Sequence, residues 1–317
     1  MTIKSAFRLI TYKIPFREPV QKQHDVVTCI APLFGNEQWQ QALFAAHVYK
    51  RFGTHMHLYI RSMVSPVFEL LKIYERELQF NPNINVEFRN QAAAQTDCLL
   101  QYKESANYVS FVDLDDVLIP RLAGNYLDEF AHLFNSMPNV AYIHYAKENF
   151  ERVSETGKLV ADPRYVNSTW IHFPLSIMNG MERYVVPNNV NAITHLKHMK
   201  LDVQSSRLTD PLTVPTYNPS SDEIKTDAPL LTKQDIKELQ NDFERMARLP
   251  EVVKVFPKLP KRFSYLEAIS RCYEDTYYKF HYSGRLKEIK CPGPDRCVVG
   301  YLLFNTKVNR IKINRGF

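Results

Sequence analysis

Long apolar runs are missing from this chain. Although 45% of its 317 residues are hydrophobic, no stretch approaches the roughly 18 consecutive apolar residues that cross a membrane. The N-terminal "MTIKSAFRLITYKIPF" is too polar for the apolar region of a signal peptide. No membrane span is therefore expected. Glycine is scarce, with nine residues, and no internal repeat, Gly/Ser linker or low-complexity tract occurs. Blocks of one charge are lacking too. The net charge of +6 is mild, and the basic residues after 245 (Arg245, Arg248, Lys254, Lys258, Lys261, Arg262) are spaced as a solvated face. Nucleic-acid binding would need a clustered stripe or a recognisable module, so no nucleic-acid partner is expected. An anionic substrate such as a nucleotide diphosphate suits the charge equally well.

Cysteine is sparse, with five residues. Cys29 and Cys98 fall in apolar patterns and read as buried free thiols. Cys272, Cys291 and Cys297 crowd the C-terminal end, where "CPGPDRC" could close a small disulfide loop with the pairing open. These spacings do not suit a four-ligand zinc site. One glycosylation sequon, Asn167-Ser168-Thr169, matters only in a secretory compartment.

What is present is a regular alternation. "DVVTCIAPLF" from residue 25, "HMHLYI", "INVEF" and "YVSFVDLD" read as buried strands. Between them, "EQWQQALFAAHVYKRF", "SPVFELLKIYEREL" and "AAAQTDCLLQYKESA" carry helical spacing, the second with Ser65 as N-cap and Pro66 in its first turn. Three strand–helix units feeding a fourth strand predict a parallel sheet with helices on both faces. "PRLAGNYLDEFAHLFN" then reads as a helix and "NVAYIHYA" as a strand. Short strand-like pieces follow ("KLVADPRYV", "TWIHFPLSI", "RYVVP", "NAITHL"), then a Pro/Ser/Asp-rich loop over 202–230 and a helix over about 232–249. The reading is an N-terminal extension over 1–25 and one domain over 26–317. Its first half, about 26–135, reads as a nucleotide-type α/β layer, and about 136–317 as an appended acceptor or lid portion of the same domain.

Within this pattern one string stands out. "FVDLDDVLIPR" places Asp113, Asp115 and Asp116 where an apolar strand ends, the edge at which parallel sheets bind ligands. One Asp could cap a helix, but three in four residues repel one another unless a cation or donor cluster stabilises them. Two enzyme classes use such a string. Haloacid dehalogenase-type phosphatases open with Asp-x-Asp-x-Val-Leu, where Asp113 would be the nucleophile. That motif normally sits on the first strand, however, and the Gly-Asp of a later metal-binding pair is absent from this chain. The alternative is a GT-A-type glycosyltransferase, in which an Asp-x-Asp after the fourth strand holds Mn²⁺ or Mg²⁺ beneath a leaving diphosphate. Position along the chain favours the transferase.

Several separated segments sharpen that choice: "CIAPLFGNEQW", "DCLLQYKESANYVSFVDLDDVLIPR", "PRYVNSTWIH" and "NAITHLKH", in that order. Together they resemble glycosyltransferase family 92, also catalogued as domain of unknown function 23, over roughly residues 26 to 200. The resemblance implies a GT-A fold, with a mixed, mostly parallel sheet and an appended acceptor-side subregion. It implies inverting transfer of a hexose, galactose by family, from a UDP-sugar to a hydroxyl of a glycan or glycoprotein. It also implies a Golgi setting, although the chain shows no anchor. Asp113 and Asp115 would be the Asp-x-Asp pair, with Asp115 the better direct metal ligand and His195 the third. Asp116 replaces the acid that commonly follows the pair and would orient the donor sugar or the loop. Pro32 would pack against uracil and ribose, and Asp97 would touch nucleotide or sugar.

Lys197 would offer a cation to the diphosphate where the family carries Arg, without Arg's bidentate fork, and Leu196 replaces a Tyr. Arg61 and Ser62 also depart from the family pattern. His172 matches a family position but serves equally as a core histidine. Glu37 and Trp39 read as helix-start and core residues. An inverting reaction needs a general base; Asp222, Glu223 and Glu182 are the candidates in the later half. A non-catalytic sugar- or nucleotide-binding relative is the remaining alternative.

Overall fold

The computed structural model describes residues 2–4, 11–13, 18–33, 35–60, 62–78, 81–83, 91–147, 157–196 and 231–272. A short hairpin of β1 (Thr2–Lys4) and β2 (Thr11–Lys13) precedes the main sheet. Then come β3 (His24–Leu33), α1 (Trp39–Arg51), β4 (His55–Ile60), α2 (Ser65–Leu78), β5 (Asn81–Asn83), α3 (Gln91–Tyr102) and β6 (Ala106–Val112). This is the expected run of strand–helix units. "INVEF" lies outside the described residues, and Asn81–Asn83, just before it, forms the third parallel strand. β7 (Asp116–Leu118), α4 (Tyr126–Ser136), β8 (Val140–Tyr145) and β9 (Lys158–Ala161) follow. β10 (Val166–Thr169), β11 (Pro174–Ile177), β12 (Glu182–Val186) and β13 (Ile193–His195) complete the strands. α5 (Lys233–Ala247), α6 (Pro250–Val255) and α7 (Ser264–Cys272) close the described chain.

Seven strands form one sheet in the order β12-β8-β9-β6-β3-β4-β5. β5, β4, β3 and β6 are mutually parallel, as are β12 and β8; β9 runs antiparallel between β6 and β8. The sheet is thus mixed and mostly parallel, the class expected. Its helices lie on both faces because the strands bury both. In β3, Val26 and Ile30 join one apolar cluster with Leu43, Val48, Leu70 and Phe130 from α1, α2 and α4. The alternate positions Val27 and Cys29 face Ala94, Leu99 and Tyr102 of α3 in a second, smaller cluster.

Cys29 and Cys98 are not free thiols. They form a disulfide joining the centre of β3 to α3. Both side chains point into the smaller cluster, and the helix crosses the sheet at the Cα separation of 6.3 Å that a disulfide accepts. Spacing could not show this, because the two residues lie 69 apart in sequence.

The helix read from Pro120 starts later, at Tyr126. Asn125 takes an extended conformation and its side chain accepts the Asp128 N–H, making it the N-cap. At α5, Thr232 and Asp235 form a capping box. α5 then lies along α1 through Arg51–Asp235 and Lys50–Asp242 ion pairs of 2.9 and 2.7 Å. Glu37 does not simply start α1. Its carboxylate accepts the backbone N–H groups of Tyr265 and Leu266, at 2.8 and 3.2 Å, in the first turn of α7.

Candidate active site

The parallel strands end along one edge of the sheet, and the acids lie there. β6 finishes at Val112, so Asp113 is the first residue beyond the pairing. A tight turn follows, closed by Asp116 N–H donating to Asp113 C=O at 3.1 Å. The chain then re-enters extended structure as β7, which pairs antiparallel with β13 and sets His195 opposite Asp116. Leu196 N–H donates to Asp115 C=O at 2.7 Å and closes the same corner. This two-stranded ribbon brings a histidine from 79 residues away onto the acidic turn.

Each carboxylate has a different environment. Asp116 is fully buried, with His195 Nδ1 2.6 Å from Oδ1 and the Lys147 and Lys158 ammoniums 3.0 and 3.2 Å from Oδ2. Burial alone would push this carboxyl up, but the His195 hydrogen bond and both lysine charges outweigh it and hold it at about 2. Asp113 is engaged by the Lys158 ammonium on one oxygen and by Gln91 Nε2 at 3.1 Å on the other. Asp115 has, among the described residues, one ion-pair partner, His195 at 3.9 Å. Burial pushes its carboxyl upward, and the charges of Asp116 and Asp113 add to that rise.

Lys158 is the hub of the counter-charge. Only 1% of its side chain is exposed, yet burial does not neutralise it, because Asp113 and Asp116 raise its pKa above the usual lysine value. Gly157 before it permits the approach: a Cβ there would collide with the His144 ring and lie 2.5 Å from the Tyr145 carbonyl oxygen. A second hub is Glu129 on α4. Its buried carboxylate accepts the N–H groups of Arg121 and Leu122 at 2.6 and 2.9 Å, the Tyr145 hydroxyl at 3.1 Å and Asn191 Nδ2 at 2.8 Å. It therefore ties the segment after β7 to the segment that enters β13.

Asp115, Asp116 and His195 each offer a donor atom within 4.8 Å of the other two, a grouping that could hold a divalent cation. The donor set is chemically suitable. Two carboxylates and one imidazole match a hard-to-intermediate ion such as Mn²⁺. The charge balance also asks for one, since three carboxylates face two ammoniums and Asp115 has no ammonium partner among the described residues.

The structure thus gathers Asp113, Asp115, Asp116 and His195. It does not gather Asp97, whose carboxylate takes the Tyr59 hydroxyl at 2.7 Å and Gln101 Nε2 at 2.6 Å. Asp97 lies six residues along α3 from Gln91, about 9 Å down the helix. Pro32 is buried near the end of β3. Glu182 lies at the wrong edge: it opens β12 beside Val140, whereas the acids share the edge of Val186 and Tyr145. It cannot reach the acidic turn as a general base. His172 sits close to the site, with Nδ1 3.1 Å from the Gly157 carbonyl oxygen. Arg61, Lys197, Asp222 and Glu223 lie outside the described residues, as do Cys291 and Cys297 and the side chain of Cys272.

Sequence reasoning did not single out Lys147, Lys158, Gln91, Glu129 or Asn191. The one available signal was Lys158 opening the apolar strand "KLVA", where a charge that must be buried needs a partner.

The acidic turn and the histidine lie at the carboxyl end of a parallel sheet, the edge at which such sheets bind ligands. Comparison with known proteins identifies the group. The model of Glycosyltransferase family 92 matches residues 24–247, and the chain belongs to that family. Glycosyltransferase family 92 protein F13G3.3 of Caenorhabditis elegans is 42% identical over 325 residues, covering 90% of this chain and 64% of that protein. Protein C33H5.2 of the same family and organism is 41% identical over 326 residues, covering 90% and 63%. The chain therefore spans just under two thirds of the length of these curated relatives. A crystal structure of S. aureus TarS 1-349 in complex with UDP has a TM-score of 0.30 and 14% identity, over 41% of this chain and 38% of that one. Family membership decides against the phosphatase reading of the acidic string.

Proposed function

We propose that the chain is the catalytic domain of a metal-dependent glycosyltransferase, moving a hexose, galactose by family, from a UDP-sugar to a glycan hydroxyl with inversion. The observation that carries this reading is the convergence of Asp115, Asp116 and His195 at the carboxyl end of β6 in a family 92 chain. Asp115 and His195 would hold Mn²⁺ (or Mg²⁺), joined by Asp116. The ion, when bound, stabilises charge on the departing diphosphate as a Lewis acid. The chain's own residues do the rest. Lys158 and Lys147 neutralise Asp116 and Asp113, so that the turn does not repel an incoming polyanion. Asp113, fixed by Gln91 and Lys158, is the carboxylate left to meet the ribose. A base removes the acceptor proton, the acceptor oxygen bonds to the sugar's anomeric carbon, and UDP leaves with the electron pair of the broken C–O bond. Asp222 and Glu223 remain the candidates for that base.

The Cys29–Cys98 disulfide supports a secretory setting, Golgi lumen in this reading, because buried disulfides form in oxidising compartments. The test is a panel of UDP-sugars with and without Mn²⁺, read as UDP release. UDP-galactose should turn over only with metal, with Asp115→Ala lowering the rate on the order of a thousandfold and His195→Ala less. Tight UDP binding without turnover on any donor or acceptor would instead make the protein a binding relative.

A further inference from the structure

Trp170 and Phe173 are the first and last residues of the four-residue turn between β10 and β11, where Thr169 pairs with Pro174. Both are unusually exposed for their size, at 45% and 44%, and Leu175 beside them is 62% exposed. Hydrogen bonds hold the backbone of this tip. Trp170 N–H donates to Phe173 C=O at 2.8 Å across the turn. Thr169 is buried, and its N–H donates to Thr96 Oγ1 of α3 at 3.1 Å. Below it, Lys103 Nζ donates to Val166 C=O at 3.0 Å.

The same turn adjoins the acidic site from two sides. His172, at its tip, reaches the carbonyl of Gly157, the residue before Lys158, and feels the charges of Lys158, Asp113 and Lys147. On the other side, α3 carries both Thr96, which holds Thr169, and Gln91, which holds Asp113. Three exposed apolar side chains on one hairpin beside the site offer a contact surface for a ligand. A pyranose suits it: its C–H face is apolar and weakly positive and packs on the negative face of an aromatic ring, while its hydroxyls stay in water.

We propose that Trp170 and Phe173 form a stacking platform for a neutral pyranose of the acceptor glycan. The proposal rests on the transferase reading for the word acceptor; the sugar site itself stands on the turn. The platform positions an acceptor and does no chemistry.

The chain has two tryptophans, Trp39 and Trp170, so ¹⁵N-Trp labelling gives two indole signals, assigned by Trp170→Phe. Methyl glycosides of a hexose, an N-acetylhexosamine and a deoxyhexose are titrated, with phosphatidylserine/phosphatidylcholine vesicles as a parallel arm. At least one glycoside should shift the Trp170 signal saturably and leave Trp39 in place. Phe173→Ala should weaken that binding about tenfold, the loss of roughly 1.4 kcal/mol. In turnover, Trp170→Ala should raise the acceptor KM, and Trp170→Tyr should restore it. Vesicles moving Trp170 while no glycoside does would overturn the platform and make the turn a membrane contact. UDP titrated with Mn²⁺ into the same samples separates the two readings. UDP binding without a glycoside shift sinks the platform alone. A glycoside shift without UDP binding supports the sugar site and sinks the transferase.

Discussion

The acids of the site and their counter-charges come from two differently built regions. The early block, β3 to β7 with α1 to α3, is made of contiguous strand–helix units, packed on two apolar clusters and stapled by Cys29–Cys98. It supplies Asp113, Asp115, Asp116 and Gln91. The later strands β9 and β13 are short, at four and three residues, and supply Lys158 and His195. They join the acidic edge through charged and polar contacts: Lys158 to Asp113 and Asp116, His195 to Asp116, and Asn191 to Glu129. The lesson is that the acidic turn is not self-sufficient. Apolar burial builds its platform, but its charge is tolerable only once the later chain has docked.

The largest break of that dependence is Lys158→Met. It keeps the apolar stem but leaves Asp113 short of a cation and Asp116 with Lys147 and His195. Removing one partner of a buried charge cluster costs about 3–5 kcal/mol, to be measured as a lowered urea midpoint at pH 7. Adding Asp113→Asn should return part of the loss, because the carboxylate left without a cation then disappears. If the single variant unfolds at the wild-type midpoint, the later strands are not the counter-charge this comparison requires.

A smaller effect sharpens the other side. Cys98→Ser removes the staple from the early block, and closing a loop of this length contributes about 2–4 kcal/mol. The urea midpoint should fall without reductant and match that of the reduced wild type. UDP affinity under native conditions should hardly change, because the disulfide joins β3 to α3 and takes no part in holding the acidic carboxylates. Equal loss of UDP binding in this variant and in Lys158→Met would erase the distinction between the regions.

How legible each region was follows the same division. β3, β4, β6 and β8 could be read because strands buried on both faces are nearly continuous apolar runs. α1, α2, α3 and α5 carried their own 3.6-residue spacing and, in α5, a capping signal at Thr232. What could not be read is non-local. Nothing in "KLVA" says that it slips antiparallel between β6 and β8, and so nothing placed Lys158 against Asp113. The acidic turn was plain in the string. His195 was nominated only through the family resemblance, and its position opposite Asp116 depends on a three-residue ribbon with no pattern of its own. The Cys29–Cys98 pair failed for a related reason: each cysteine sat in a sound apolar pattern, and their contact is set by where α3 crosses the sheet.

The smallest expected effect concerns how α5, from the end of the family domain, clasps α1. Asp242 accepts Lys50 at 2.7 Å, His47 at 2.8 Å and Arg245 at 2.9 Å. Burial raises its carboxyl, but the Lys50, Arg245 and His47 hydrogen bonds prevail and hold it at about 2. Its folded pKa lies below the unfolded value of about 3.9, so its contribution is present above that value and fades as the pH falls towards 2. His47 is lowered from 6.5 by burial, against the pull of Asp242. Between 6.5 and that lowered value the unfolded chain binds the proton more readily, so stability also falls as the solution acidifies. The clasp should therefore weaken in two steps below neutrality, seen as urea midpoints declining from pH 7 to 5 and again below 4. His47→Gln should reduce the first decline, which His144, His172 and His24, also lowered by burial, share, and Asp242→Asn should reduce the second, which Asp116 shares. A midpoint constant from pH 7 to 5 in the wild type would mean that His47 does not titrate against the fold. The α1–α5 contact would then be held by Lys50 and Arg51 without its help.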